Sequence, residues 1–253
     1  MRKIVRYLLI ILKSFLIFVA LGAVSTATVK NFQKIMIVDE FKSKAIFEEE
    51  KSTDLVKFYR IDANEELDSY TVVGNKIIPG VEGDILVSTQ ATLINPLISG
   101  LVSFFAGGHA AICTNKYYDH DIYLDKDLSI ESTGLNSGDN PTSIFYRDYW
   151  ENDEVFKEVI GLRVKMTEKE RKEIISLSSS IIGDPYNFSF LFDTVNKSYC
   201  SDLVSKVFEY IGVDLNKDDF TTSIYDLIVS NETYISYYHY FDNKGIKYIY
   251  YLD

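Results

Sequence analysis

The sequence predicts an α+β domain preceded by an N-terminal apolar helix. Three observations lead there. Short β-type runs and capped helical runs are segregated along the chain instead of alternating strictly. Residues 7–24 form the only apolar stretch of membrane length. The 253 residues are 47% hydrophobic, with 19 Tyr and 16 Phe, which is enough apolar mass for one core with an appendage. Four prolines, no biased tract and no internal repeat argue against long linkers and solenoids.

The apolar stretch comes after Arg2, Lys3 and Arg6, a basic flank that predicts a cytoplasmic N-terminus and export of the downstream chain. Lys13 interrupts it, but a lysine a turn or two from the end can snorkel to the interface. Two readings stand. One is a cleaved signal peptide with Ser25-Thr26-Ala27 as a loose small-x-small site. The other is an uncleaved anchor reaching about Val29, favoured by an apolar length beyond a usual signal core. The expected organisation is anchor or signal over 1–30, a stalk or lead-in over 31–70, an organised domain over 71–230 and a Tyr-rich extension over 231–253. The domain would be membrane-anchored and extracytoplasmic, or secreted if residues 1–27 are cleaved.

Residues 1–30 carry five basic residues and no acid, leaving 21 basic and 37 acidic residues in the remainder, a net of −16. Such a body repels phosphate backbones, which excludes nucleic-acid binding as a leading function.

Along the chain, residues 83–89 read as a short apolar strand entered through a turn. Asn95 caps a helix with Pro96 at its first position, and Gly107-Gly108 stops it. Residues 109–114, 128–132 and 159–164 read as strands. Thr167 and Glu170 form a capping box for a helix running to about Ile182, ahead of Gly183-Asp184-Pro185. A helix capped by Ser198 runs from Tyr199 to Gly212, a left-handed cap position. Asn243-Lys244-Gly245 turns a terminal hairpin.

Cys200 is one of two cysteines and opens that last marked helix. It shares a helical face with Leu203, Val204, Val207 and Ile211, and a cysteine on an apolar stripe is ordinarily a buried hydrophobe. Its position argues otherwise. In the first turn, unpaired N–H groups and the helix dipole favour a thiolate, and the backbone N–H of Cys200 is placed to stabilise an oxyanion. His109 stands between two glycines and two alanines, small neighbours that admit close approach. His120 reads as a solvated turn residue, and His239 lacks a constellation around it. Glu131 is the one charge in a strand-like run; it either faces solvent or accepts the histidine Nδ1–H and raises the basicity of Nε2. A first-turn cysteine, a histidine and a carboxylate are the raw material of a thiol hydrolase.

Gly83-Asp84-Ile85-Leu86, Gly108-His109-Ala110, the Glu131 strand, Gly183-Asp184-Pro185-Tyr186-Asn187 and Tyr199-Cys200-Ser201-Asp202-Leu203-Val204 occur in that order. This order resembles the YiiX/YaeF-like, circularly permuted branch of the NlpC/P60 papain-like superfamily, over roughly residues 75–230. The resemblance implies an antiparallel sheet or half-barrel packed on helices. It also implies Cys200 as nucleophile, His109 as general base and then acid, and Glu131 as the residue orienting His109; no cofactor or metal is expected. The expected reaction is acyl transfer from an amide, ester or thioester, on a cell-wall peptide or a lipid-linked amide. Tyr186 is a candidate for the cleft wall, or a packed aromatic.

Alternatives remain at this level. An inactive relative would hold a lipid or a protein partner. Cys113 and Cys200 could form a disulfide outside the cell. His109, Glu131 and Cys200 could ligate zinc, although no local ligand spacing supports it. No Gly-x-Ser-x-Gly elbow supports a serine hydrolase. The oligomeric state is not readable from the sequence.

Overall fold

The computed structural model describes residues 2–63, 72–73, 76–91, 95–119, 122–134, 142–190, 196–216 and 221–253. His120 lies outside them. Helix α1 runs from Arg2 to Ser43. There follow β1 (Ile46–Phe47), β2 (Val56–Ile61), the small pair β3 (Val72–Val73) and β4 (Lys76–Ile77), β5 (Ile85–Ser88) and α2 (Pro96–Phe105). Next come β6 (His109–Asp119), β7 (Ile122–Glu131), β8 (Ser143–Tyr146), a 3₁₀ turn over Arg147–Glu151, and β9 (Glu158–Val164). Helices α3 (Glu168–Ser180), α4 (Cys200–Glu209) and α5 (Ile224–Val229) precede the terminal strands β10 (Thr233–Phe241) and β11 (Lys247–Leu252).

Nine strands form one sheet in the order β1-β2-β11-β10-β9-β5-β6-β7-β8. Every pairing is antiparallel except β11 with β2. The central strands are buried on both faces, and the alternation of side chains sorts them into two clusters. Ile85, Val87, Ala110, Ile112, Ile160 and Leu162 pack against Leu203, Val204, Val207 and Phe208 of α4. Leu86, Ala111, Cys113 and Val159 face the other way, onto Trp150 and Phe156. At the centre of the sheet Arg163 and Asp84 form a buried bidentate pair at 2.8 and 2.7 Å. Loss of either partner would strand the other charge, at a cost of about 3–5 kcal/mol.

The predicted caps are present. Asn95 accepts from Leu97 N–H and Ile98 N–H, and Thr167 with Glu170 closes a reciprocal box. The cap of α4 differs from expectation: Tyr199, not Ser198, is the N-cap, and no side chain caps that end. The reason is tertiary. Ser198 is held by its backbone, in a bridge to Tyr186 and as carbonyl acceptor from Ser132 Oγ at 2.6 Å.

The segments read as stalk and extension supply elements of the same sheet. Residues 31–43 continue α1, and β2 pairs with β11, which pairs with β10. The C-terminal part of α1 docks on the domain along a helical stripe. Ala27, Val38 and Phe41 are buried, Lys30 pairs with Asp226, and Lys34 meets Glu158 at 2.6 Å. The sequence pattern conceals that stripe, because its charges are interleaved with apolar residues of the same helix.

Candidate active site

Three neighbouring elements bring the site together: the start of β6, the end of β7 and the first turn of α4. The Gly107-Gly108 pair makes the geometry possible. Gly107 has φ 86°, and a Cβ on it would lie 2.5 Å from Cβ of Ile224; a Cβ on Gly108 would lie 2.3 Å from the Gln90 carbonyl oxygen. Only glycine permits both the left-handed backbone and the close approach. The chain therefore turns from α2 directly into His109.

In the β6–β7 ladder Ile112 pairs with Ile130, so the next step sets Glu131 against Ala111. His109 and Glu131 thus share one face of the sheet, across small Ala111. His109 Nε2 meets Glu131 Oε2 at 2.7 Å. This corrects the expected use of the ring nitrogens: the carboxylate holds Nε2, and Nδ1 is the nitrogen left for the thiol. The ring's far edge reaches the carboxylate because Glu131 sits further along β6 from its start. Glu131 is only 1% exposed, and its other oxygen accepts from Ser129 Oγ at 2.5 Å and from Trp150 Nε1–H at 2.7 Å. Three donors fix the carboxylate, as a buried charge requires.

The imidazole lies parallel to Trp150, with ring centroids 5.6 Å apart and planes inclined by 9°. Trp150 stacks in turn on Phe156 at 4.4 Å. Trp150, Ser129 and Arg147 were not singled out from the sequence. The lone tryptophan was a signal, but its indole reaches Glu131 only through the 3₁₀ turn at Arg147–Glu151. Arg147 is itself buried and anchors that turn to the backbone, donating to the carbonyls of Leu128, Thr114 and Gly80.

Cys200 is the first residue of α4. Burial raises its thiol pKa, but the hydrogen bond and charge of His109, with backbone N–H groups of Ala110 and Ser201, outweigh burial and leave it below its ordinary value. For His109, burial favours the neutral ring, yet the bonds to Cys200 and Glu131 win and push it up to about 10. Both shifts favour the thiolate–imidazolium form of the pair over the neutral thiol and imidazole. Cys113 and Cys200 are both free thiols, packed in the two different clusters, so the disulfide considered above is not formed here.

An apolar cleft of about 620 Å³ opens beside Cys200 and His109. Tyr186 stands in its wall, packed on Phe188 at 4.8 Å and Phe190 at 6.0 Å. His239 is remote in role: it is fully buried, with Nδ1 bonded to the Tyr237 hydroxyl at 2.9 Å. Among the described residues no three His, Cys, Asp or Glu side chains are grouped to hold a metal ion. The residues considered for zinc do not fit one, because His109 Nε2 and both Glu131 oxygens are already engaged.

No curated protein matches the chain. Among solved structures it is similar to YiiX of Escherichia coli O157:H7, a protein described as a metalloprotein. The match has 14% identity, 62% of this chain covered, 96% of that chain covered and a TM-score of 0.48. Residues 81–233 match the family described as permuted papain-like amidase enzymes, YaeF/YiiX, C92, and the chain belongs to that family.

Proposed function

We propose that the protein is a membrane-anchored, extracytoplasmic cysteine hydrolase that cleaves an amide, ester or thioester through an acyl-enzyme. The observation that carries the reading is His109, bonded on one side to Cys200 and on the other to a buried carboxylate held by three donors. In this reading the Cys200 thiolate attacks the carbonyl carbon and forms the S–C bond. The oxyanion is met by the first-turn N–H groups of α4, which no side chain caps. Collapse breaks the bond to the leaving group, which takes its proton from His109. Water then attacks the thioester, gives its proton to His109, and releases the acid with the thiolate restored. Glu131 acts throughout as the positioning residue for His109. Tyr186 serves as part of the substrate wall.

The anchor reading draws on α1, the one described helix long and apolar enough to cross a membrane. It runs unbroken through residues 25–27, and Ala27 is buried against the domain. The basic residues lie ahead of the apolar stretch, which orients the domain outward.

The test is site-resolved alkylation with iodoacetamide across pH, followed by turnover of amide and thioester substrates. Labelling of Cys200 well below the pH at which a free thiol of pKa ~8.5 reacts, together with turnover, supports the enzyme. Fast labelling with no turnover of any acyl substrate favours the second reading, a module that holds an apolar ligand in the same cleft.

A further inference from the structure

Helix α2 has the composition of a core helix and the environment of a surface one. None of its ten residues is buried, and it carries no charge. Leu97 is 74% exposed, and Ile98, Leu101 and Phe105 also stand in the open. Such a contiguous apolar patch on an otherwise acidic domain marks a contact surface. Three observations say what covers it.

First, α2 is fastened to α1 just beyond the apolar stretch, through Asn31 Nδ2–H to the Phe104 carbonyl at 2.9 Å. At a helical rise of ~1.5 Å per residue, Asn31 lies about 10 Å past Val24. Second, α1 stays apolar on its free side after the stretch ends. Val29, Phe32, Ile35 and Met36 are exposed at helical spacing, opposite the stripe docked on the domain. Third, α2 continues into the cleft. Leu101, Val102 and Phe105 line it, and the exposed rings of Phe188 and Phe190 line it too.

From this juxtaposition we infer that α2 lies in the outer face of the bilayer beside α1, so that the mouth of the cleft opens directly onto that bilayer. Cys200 is then reached by apolar molecules moving laterally out of the lipid as well as by solutes from the water. What Cys200 then does with them rests on the proposed hydrolase reading. The docking itself does not. The charge-free helix and the acidic body favour zwitterionic lipid over anionic lipid, so the contact is apolar and insensitive to salt.

The test uses the full chain in phosphatidylcholine vesicles. Leu97→Trp, which does not line the cleft, reports on α2: its added emission is quenched by lipids brominated high on the acyl chain, with or without added salt. Cys200 is then labelled with N-hexadecyl iodoacetamide dissolved in the vesicles and with iodoacetamide from the water, the thiolate displacing iodide in both. The double variant Leu97→Asp/Ile98→Asp is expected to slow the hexadecyl reagent by about tenfold or more and to leave iodoacetamide unchanged. An introduced indole that is not quenched, including one shielded only by self-association, overturns the membrane docking. A quenched indole with equal hexadecyl labelling in the double variant overturns the route from the bilayer. A Cys200 inert to both reagents alongside a quenched indole sinks the hydrolase while leaving α2 in the lipid.

Discussion

Cys113 and Cys200 are both free and both buried, yet their environments drive them in opposite directions. Burial pushes the Cys113 thiol up to about 12, with Arg147 offsetting only part of it. Cys200 is lowered, because a histidine with a carboxylate behind it faces the sulfur. The histidines repeat the contrast. Burial, helped by Lys247, drives His239 well below its ordinary value, whereas His109 rises to about 10. Burial alone neutralises a group; burial beside an anchored counter-charge does the reverse. The difference between the raised and the lowered thiol lies in partners, not in depth.

The most severe way to break the comparison is to exchange the two cysteines' fates. Cys200→Ala is expected to lower turnover by about 10⁴-fold or more, while Cys113→Ala leaves kcat/KM near wild type. Equal losses in a steady-state assay would overturn the assignment. Glu131→Gln keeps the shape but removes the charge holding Nε2–H. It should cost about 10²-fold in kcat, lower the His109 pKa and slow Cys200 alkylation near neutral pH. An unshifted pH profile would remove Glu131 from its positioning role.

A third prediction sharpens the comparison through pH. Since Cys200 is lowered, its alkylation persists below the range of a free thiol and declines only as pH falls through its own depressed pKa. In the proposed reaction turnover needs the His109 proton as well, so it is expected to decline as pH rises through about 10. Cys113 should stay unlabelled throughout that window in a mass-resolved experiment, and labelling of both thiols at one rate would refute the contrast. The smallest expected effect is structural: Cys113→Ala removes a buried sulfur and should cost about 1 kcal/mol in denaturant unfolding, with activity retained.

Much of the fold was legible because its signals are local. The capping box at Thr167, Asn95 with Pro96, the strands at Ile85–Ser88 and Glu158–Val164, and the turn before β11 depend on a few adjacent residues. The parallel pairing of β2 with β11 was not legible, since it joins residues almost two hundred positions apart. The cap of α4 also escaped a local reading, because Ser198 is engaged by Ser132 and Tyr186 from elsewhere in the chain.

By itself the sequence determined the apolar segment, the segregated elements, and Cys200, His109 and Glu131 in a permuted order. Residue type and periodicity suffice for the segment and the elements, because backbone preference and amphipathicity are short-ranged; the three site candidates came from the family resemblance of their order along the chain. Tertiary structure decided which nitrogen of His109 faces Glu131, recruited Trp150 and Ser129 to hold the carboxylate, and left apolar α2 uncovered beside α1. Each of those depends on which surfaces meet across the sheet. Hydrogen bonds and exposure belong to such meetings and not to any segment alone.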